Sequence, residues 1–298
     1  MAVYLLLVLC VLFWSANFVI GRFVAGEIEP IELAFFRWCG VFIVTLPFLL
    51  LHVRKLWAIF KANFAILLLL AFLGIACFNT LLYIGLQYTT ATNALLINSS
   101  IPILILLFSF VILKKSISRI QMGGIVLSTL GVVFLVLKGD VGHLMNLRFN
   151  QGDFWVIGSS LCWAMYSVLV KFRPQAMSSF EFFISIVFLG VLMLLPFYLS
   201  QGYTLEREWG IITQYYGVIA YVVIFTSILS YYMWHKGIAQ IGADRTGQFT
   251  HLMPVFGSFL AYLFLGESLK WYHLGGIVLI ALGIYLSLFM KHKAQSPT

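Results

Sequence analysis

Polar and aromatic side chains recur in this 298-residue chain at spacings that share a helix face, and they lie inside long apolar runs. Trp14, Asn17 and Gly21 follow i, i+3, i+7, and Trp163 and Tyr166 stand at matching places in a later run. Asn79 and Tyr83 are four apart, as are Tyr231 and His235. Asn93, Asn98 and Ser99 precede Pro102; Gln248, Thr250 and His251 precede Pro254. Asp244, Gln248 and His251 fall on i, i+4, i+7. Side chains three, four and seven apart meet on one side of an α-helix. Aromatic faces with amides, hydroxyls and imidazoles hold a small molecule by stacking and hydrogen bonding. Tryptophans that only pack helices, and amides bonded to a neighbouring helix, account for the same pattern without a ligand. Both readings stand at this point.

Charge inside the runs is scarce. Arg37 is the one Lys or Arg well within a run, about 10 Å from the start of its helix. Three readings are open: it snorkels outward, it pairs with Glu32 or another acid, or it holds a substrate carboxylate. Glu32 and Glu181 lie near helix starts, where the dipole tolerates an anion, and read as caps. No acid sits near the middle of a run, which argues against a carboxylate-driven antiporter or a cation pump. His235 and His251 are the groups inside the runs that titrate near neutral pH, as proton carriers or as neutral hydrogen-bonded rings. Walker, HExxH and GxSxG sequences are absent, so ATP is not the driver and no enzyme is expected. Cys10, Cys39, Cys77 and Cys162 lie in apolar runs without a CxxC and read as small hydrophobes, so no metal or other cofactor is expected.

The elements that position these residues follow from composition. The chain is 62% hydrophobic and 9% charged, against about 25% charged in ordinary soluble domains. A soluble core has no room for that much apolar surface, which excludes a soluble enzyme and a nucleic-acid reader. Apolar runs cover 3–24, 30–51, 63–86, 91–113, 119–138, 153–172, 179–200, 214–236, 243–265 and 270–290. Each is long enough for a helix across about 30 Å of hydrocarbon, and all exceed the 9–11 residues of a porin strand. An all-α protein of ten transmembrane helices is expected in the lipid bilayer, its first run a retained span rather than a signal peptide. Alternating the sides puts 12 Lys and Arg on one face and 5 on the other, with Arg37 between. The richer face is expected to be cytoplasmic, with both termini inside an inner (plasma) membrane. The net charge of +8 therefore reads as orientation signal rather than nucleic-acid affinity.

The chain also repeats itself. GGIVLSTLG at 123–131 matches GGIVLIALG at 275–283 at an offset of 152, which also pairs Gly85 with Gly237 and Pro102 with Pro254. An offset of 149 pairs Trp14 with Trp163 and Glu32 with Glu181. Residues 1–138 and 153–290 thus form two five-helix repeats, joined by a linker at 139–152 and followed by a tail at 291–298. Five is odd, so the second repeat enters from the opposite side, as in inverted-repeat transporters.

These features resemble the EamA family of the drug/metabolite transporter superfamily, over essentially the whole chain. The resemblance rests on the 5+5 repeat, the tryptophans of spans 1 and 6, GLQYTTATNALLINSSIPIL at 85–104 and LGESLKWYHLGGIVLIALG at 265–283. Where the second half has Glu267 in GESLK, the first has KKSIS; Glu267 and Ser268 read as capping and loop residues of the last helix. The resemblance implies a central cavity and export of metabolites, often amino acids. The site is expected to comprise Trp14, Asn17, Arg37, Asn79, Tyr83, Asn98, Trp163, Tyr166, Tyr231, Gln248 and His251, with His235 and His251 as candidates for proton coupling. A neutral or zwitterionic amino acid with an apolar or aromatic group is the expected substrate. A multidrug exporter and a lipid or lipid-linked sugar flippase are the alternatives, and the protein is expected to be a monomer or weak homodimer.

Overall fold

The computed structural model describes residues 2–140, 150–265 and 270–289. Its architecture is all-α, and among the described residues nine helices are long and apolar enough to cross a membrane. They are α1 (Ala2–Phe23), α2 (Pro30–Ala62), α3 (Phe64–Tyr88), α4 (Asn93–Leu113), α5 (Arg119–Val136), α6 (Gln151–Phe172), α7 (Ser179–Leu199) and α8 (Leu205–Ile241), with α10 (Trp271–Phe289). Between α8 and α10 the expected ninth span is interrupted. A short helix Ala243–Gly247 and a 3-10 stretch Gln248–Leu252 lead into α9, Met253–Leu265. Residues 141–149 of the linker, Glu267 and Ser268, and the tail at 291–298 lie outside the described residues.

Polar caps fix where the helices begin. Glu32 accepts from Glu29 N at 3.0 Å and Glu181 from Ser178 N at 2.8 Å, so both acids close helix starts. Asn150 and Asp153 cap α6 in the same way. Two helices extend well beyond their apolar runs. α2 continues to Ala62 rather than stopping at 51, and α8 starts at Leu205 rather than at 214. Hydropathy marks where a helix leaves hydrocarbon, whereas its end is set by caps and breakers. For α8 the cap is Thr204, which accepts from Arg207 N, and Glu206 and Glu208 suit the positive end of the dipole.

Irregular backbone occurs at related positions. α3 widens to a π-helix over Phe72–Cys77 and α8 over Ile224–Leu229, the two being 152 residues apart. A wide turn shifts the hydrogen-bond ladder by one and frees a carbonyl. Ahead of Pro102, Ser99 and Ser100 interrupt α4, and the 3-10 stretch stands just ahead of Pro254. The ring of each proline removes a donor at that point.

Close contacts pair up under the same two offsets. A Cβ on Gly85 would meet Val156 at 2.6 Å, and one on Gly237 would meet Leu7 at 2.7 Å. Gly124 lies against Gly283, and Gly131 against Ile280 and Gly276, so α5 and α10 pack antiparallel with backbone touching backbone. These small residues substitute for the hydrophobic drive that lipid-exposed helices lack.

Candidate substrate pathway

Where α1, α3, α4 and α6 converge, the structure holds a central cavity of about 10 Å3, room for no more than one water. Trp14, Asn17, Arg37, Asn79, Asn98 and Trp163 line it, together with Phe18, Phe78, Thr250 and Met253. Trp14 and Trp163 meet edge to face at 5.0 Å, and Tyr231 packs on both, at 6.5 and 5.4 Å. The freed π-helix carbonyls are taken up here. Trp14 Nε1 donates to Thr226 O at 3.0 Å, and Tyr231 Oη donates to Gly74 O at 2.5 Å. Gly74 and Thr226 are again 152 apart.

Arg37 is 1% exposed. Its guanidinium donates to Ser227 Oγ at 2.7 Å, Tyr83 Oη at 2.9 Å and Thr226 O at 3.0 Å. Its plane lies 5.1 Å from the Trp38 ring centroid. Among the described residues no carboxylate forms an ion pair with it. Of the three readings open for Arg37, pairing with Glu32 does not occur, because Glu32 is engaged by Arg207 at 2.9 and 3.1 Å near the start of α2. A buried guanidinium surrounded by neutral acceptors is costly and is stabilised by an incoming anion.

The amides around it differ. Tyr83 Oη donates to Asn17 Oδ1 at 3.1 Å, and Ser160 Oγ donates to Asn98 Oδ1 at 3.2 Å. Among the described residues Asn79, fully buried, makes no hydrogen bond of normal geometry through Oδ1 or Nδ2, and the Tyr231 hydroxyl is its polar neighbour.

The remaining expected residues lie around this cluster rather than in the cavity wall. Tyr166 packs on Trp163 at 5.2 Å, and its Oη stands 2.5 Å from His235 Nε2. His251 is held between Ser128 Oγ at 2.7 Å and Ser99 O at 2.9 Å, joining α5, α4 and the 3-10 stretch. Gln248 Nε2 reaches Asp244 O at 3.3 Å, and its Oε1 has no partner. The 3-10 turns carry these two side chains off the face that regular helical spacing would give them. Thr226, Ser227, Trp38, Trp234 and Phe78 belong to the cluster and were not expected. Ser227 had a legible signal, since it stands four residues before Tyr231 and eight before His235.

The two ends of the bundle are unlike. On the Lys/Arg-rich face a vestibule of about 470 Å3 is lined by Lys115, Lys171, Arg173 and Asp244, and it reaches inward to His235. Lys115 and Gln121 both bind Asp244, at 2.7 and 2.9 Å. At the opposite face Arg22 Nη1 donates to Leu86 O at 2.7 Å and Thr89 Oγ1 to Asp153 Oδ1 at 2.6 Å, closing α1, α3 and α6 together. In the nearby connection Tyr203 donates to Glu29 at 2.8 Å; burial, then this bond to a carboxylate, raises its phenol above the usual range. The molecule is open toward one face and shut toward the other.

Comparison with known proteins agrees with this architecture. A model of the EamA-like transporter family matches residues 1–137 and 150–289. The uncharacterized transporter YyaM of Bacillus subtilis is 28% identical over 95% of this chain and 92% of its own length. An uncharacterized transporter of Archaeoglobus fulgidus is 27% identical over 97% and 98%. A solved crystal structure aligns over 99% of both chains with a TM-score of 0.73 at 15% identity, a likeness of fold. With apolar helices of spanning length and a match over nearly its whole length, the chain is an integral membrane protein and belongs to the EamA-like transporter family.

Proposed function

We propose that the protein is a secondary transporter exporting small metabolites, amino acids above all, neutral or zwitterionic and with an apolar or aromatic group, by alternating access across the inner membrane. One observation carries this reading: among the described residues Arg37 has no acid of its own and Asn79 makes no hydrogen bond of normal geometry, and both line the same cavity beside Trp14 and Trp163. The guanidinium supplies a carboxylate site. The Asn79 amide supplies one acceptor for an α-ammonium and one donor for a carboxylate oxygen. The indoles bury the apolar part. No Asp or Glu lines the cavity, which disfavours an organic cation. Uptake of radiolabelled amino acids by everted vesicles tests the reading, and uptake confined to cationic dyes overturns it in favour of a multidrug exporter.

Asn79 gives a sharper expectation. A buried polar atom left unpaired costs about 1–3 kcal/mol, so Asn79→Leu is expected to raise thermal stability while cutting amino-acid uptake at least about tenfold. Melting of the purified variant and uptake by its vesicles are read together. Lower stability with undiminished uptake removes Asn79 from the site.

The contacts repeated under the offsets of 152 and 149 support two five-helix units, 1–138 and 153–290, related by a two-fold axis in the membrane plane. Their exchange would shut the vestibule and open the face now sealed by Arg22. If protons drive the cycle, His235 is the group to carry them, since it meets the vestibule and its Nδ1 is unpartnered, whereas His251 is fixed on both nitrogens. The Lys/Arg split supports cytoplasmic termini. Accordingly, in a background without the native cysteines, Gln201→Cys is expected to react with an impermeant maleimide in intact cells. Lys114→Cys is expected to react only after lysis. The reverse pattern overturns the orientation.

A further inference from the structure

The long helix α2 carries a second cavity, separate from the substrate pathway. It is a groove of about 280 Å3 between α2 and α7, lined by Phe42, Leu46, Leu49, Trp57 and Phe60 of α2 and Phe188 of α7. Apart from the Trp57 indole, its polar lining residue is Ser185, whose hydroxyl is already donated to Glu181 O at 2.8 Å. Phe42 to Phe60 covers about 27 Å of helix, whereas one leaflet's hydrocarbon is about 15 Å deep. With 33 residues, α2 is about 20 Å longer than the whole hydrocarbon layer. Its last turns therefore stand at headgroup level, where the half-exposed Trp57 is at home.

The cations of those turns are not equivalent. Lys55 is held by Glu181 at 2.6 Å. Arg54 has no ion pair among the described residues, and Lys61 Nζ lies over the Trp57 ring, 5.0 Å from its centroid. Arg54 is four residues after Leu50 and three before Trp57, both of which line the groove, and Lys61 is four after Trp57. Helical spacing thus sets both cations along one flank of the slot, at its headgroup end.

We propose that this groove binds one anionic phospholipid, its acyl chain in the slot and its phosphate on Arg54 and Lys61. The length, the apolar lining and the cation pair suit that occupant together. A zwitterionic lipid would fill the slot but leave the pair without a net negative charge to balance it. The site does not depend on what the central cavity carries.

The test is native mass spectrometry of the purified full chain mixed with phosphatidylglycerol or phosphatidylcholine of identical acyl chains, with glycerol phosphate as a headgroup-only control. At about fivefold per basic residue, the pair is expected to favour phosphatidylglycerol by about 25-fold. R54Q/K61Q is expected to bring the two lipids to parity, and a slot-filling Leu46→Trp to reduce retention of both. Among the described residues Arg54 has no ion pair to lose, and Lys61 gives up only its contact with the exposed Trp57 ring, so the double variant should fold; an unchanged melting temperature without lipid verifies this. Equal retention of the two lipids by the native chain overturns the site, as does a preference that survives R54Q/K61Q. Competition by glycerol phosphate as effective as that of the whole lipid also overturns it, because the slot would then contribute nothing.

Discussion

Arg37→Met is expected to lower the initial rate of amino-acid uptake by everted vesicles at least about 100-fold. A hydrogen bond to a charged group contributes about 1.5–3 kcal/mol, so the two bonds of a bidentate carboxylate amount to about 3–6 kcal/mol. Methionine keeps an unbranched stem but offers no donor. The neighbours it abandons are neutral, and Thr226 O retains the Trp14 indole while Tyr83 retains Asn17, so the helices should still assemble. Arg37→Lys separates charge from geometry: the cation remains but the planar fork is lost, and an intermediate rate is expected. Uptake by Arg37→Met within about threefold of the native rate, with comparable protein in the membrane, would remove the carboxylate site from the proposal.

The second large effect concerns folding rather than transport. Gly124 and Gly123 are adjacent in α5, yet their surroundings are opposite. A Cβ on Gly124 would lie 2.6 Å from Gly283 O and 2.7 Å from Ser287 N, backbone atoms that cannot turn aside, while nothing lies within 4 Å of one on Gly123. Gly124→Leu must force α5 from α10, and overpacking of this kind costs about 3 kcal/mol or more. Gly123→Leu is expected to be neutral or slightly stabilising, since leucine is the better helix former by about 0.7 kcal/mol. Thermal melts followed by size-exclusion chromatography distinguish the pair. Equal melting temperatures for the two variants would mean that the two helices do not pack through these glycines.

Most of the bundle was legible in sequence because apolar length is imposed by the bilayer. The repeat was legible because whole motifs recur, and Glu32 and Glu181 could be recognised as caps from their place three residues into a helix. Three things were hidden. The start of α8 lies in a polar stretch, where hydropathy is silent and Thr204 is the cue. The π-helices are invisible to a fixed 3.6-residue period, although they supply the Thr226 carbonyl and Ser227 hydroxyl that hold Arg37. The 3-10 turn before Pro254 rotates Gln248 and His251 away from the position regular spacing gives, so His251 fastens α4 to α5 through Ser99 and Ser128. The shared Trp14, Asn17, Arg37, Asn79, Asn98 and Trp163 cavity sits mainly on regular helix, where face arithmetic holds.

The seam between α5 and α10 bears on the balance between the two end states of an inverted repeat. If the halves trade conformations, Gly124 against Gly283 becomes Gly276 against Gly131, a contact already made. A contact that is its own counterpart stabilises both end states alike and shifts nothing between them. Arg22 on Leu86 has no such counterpart: the equivalent residues, Lys171 and Ile238, are walls of the open vestibule. One bond from a charged donor is enough to skew a two-state population about tenfold. Under that exchange the seam holds the two end states in balance, while the contacts at the closed rim, Arg22 on Leu86 and Thr89 on Asp153, belong to one of them alone.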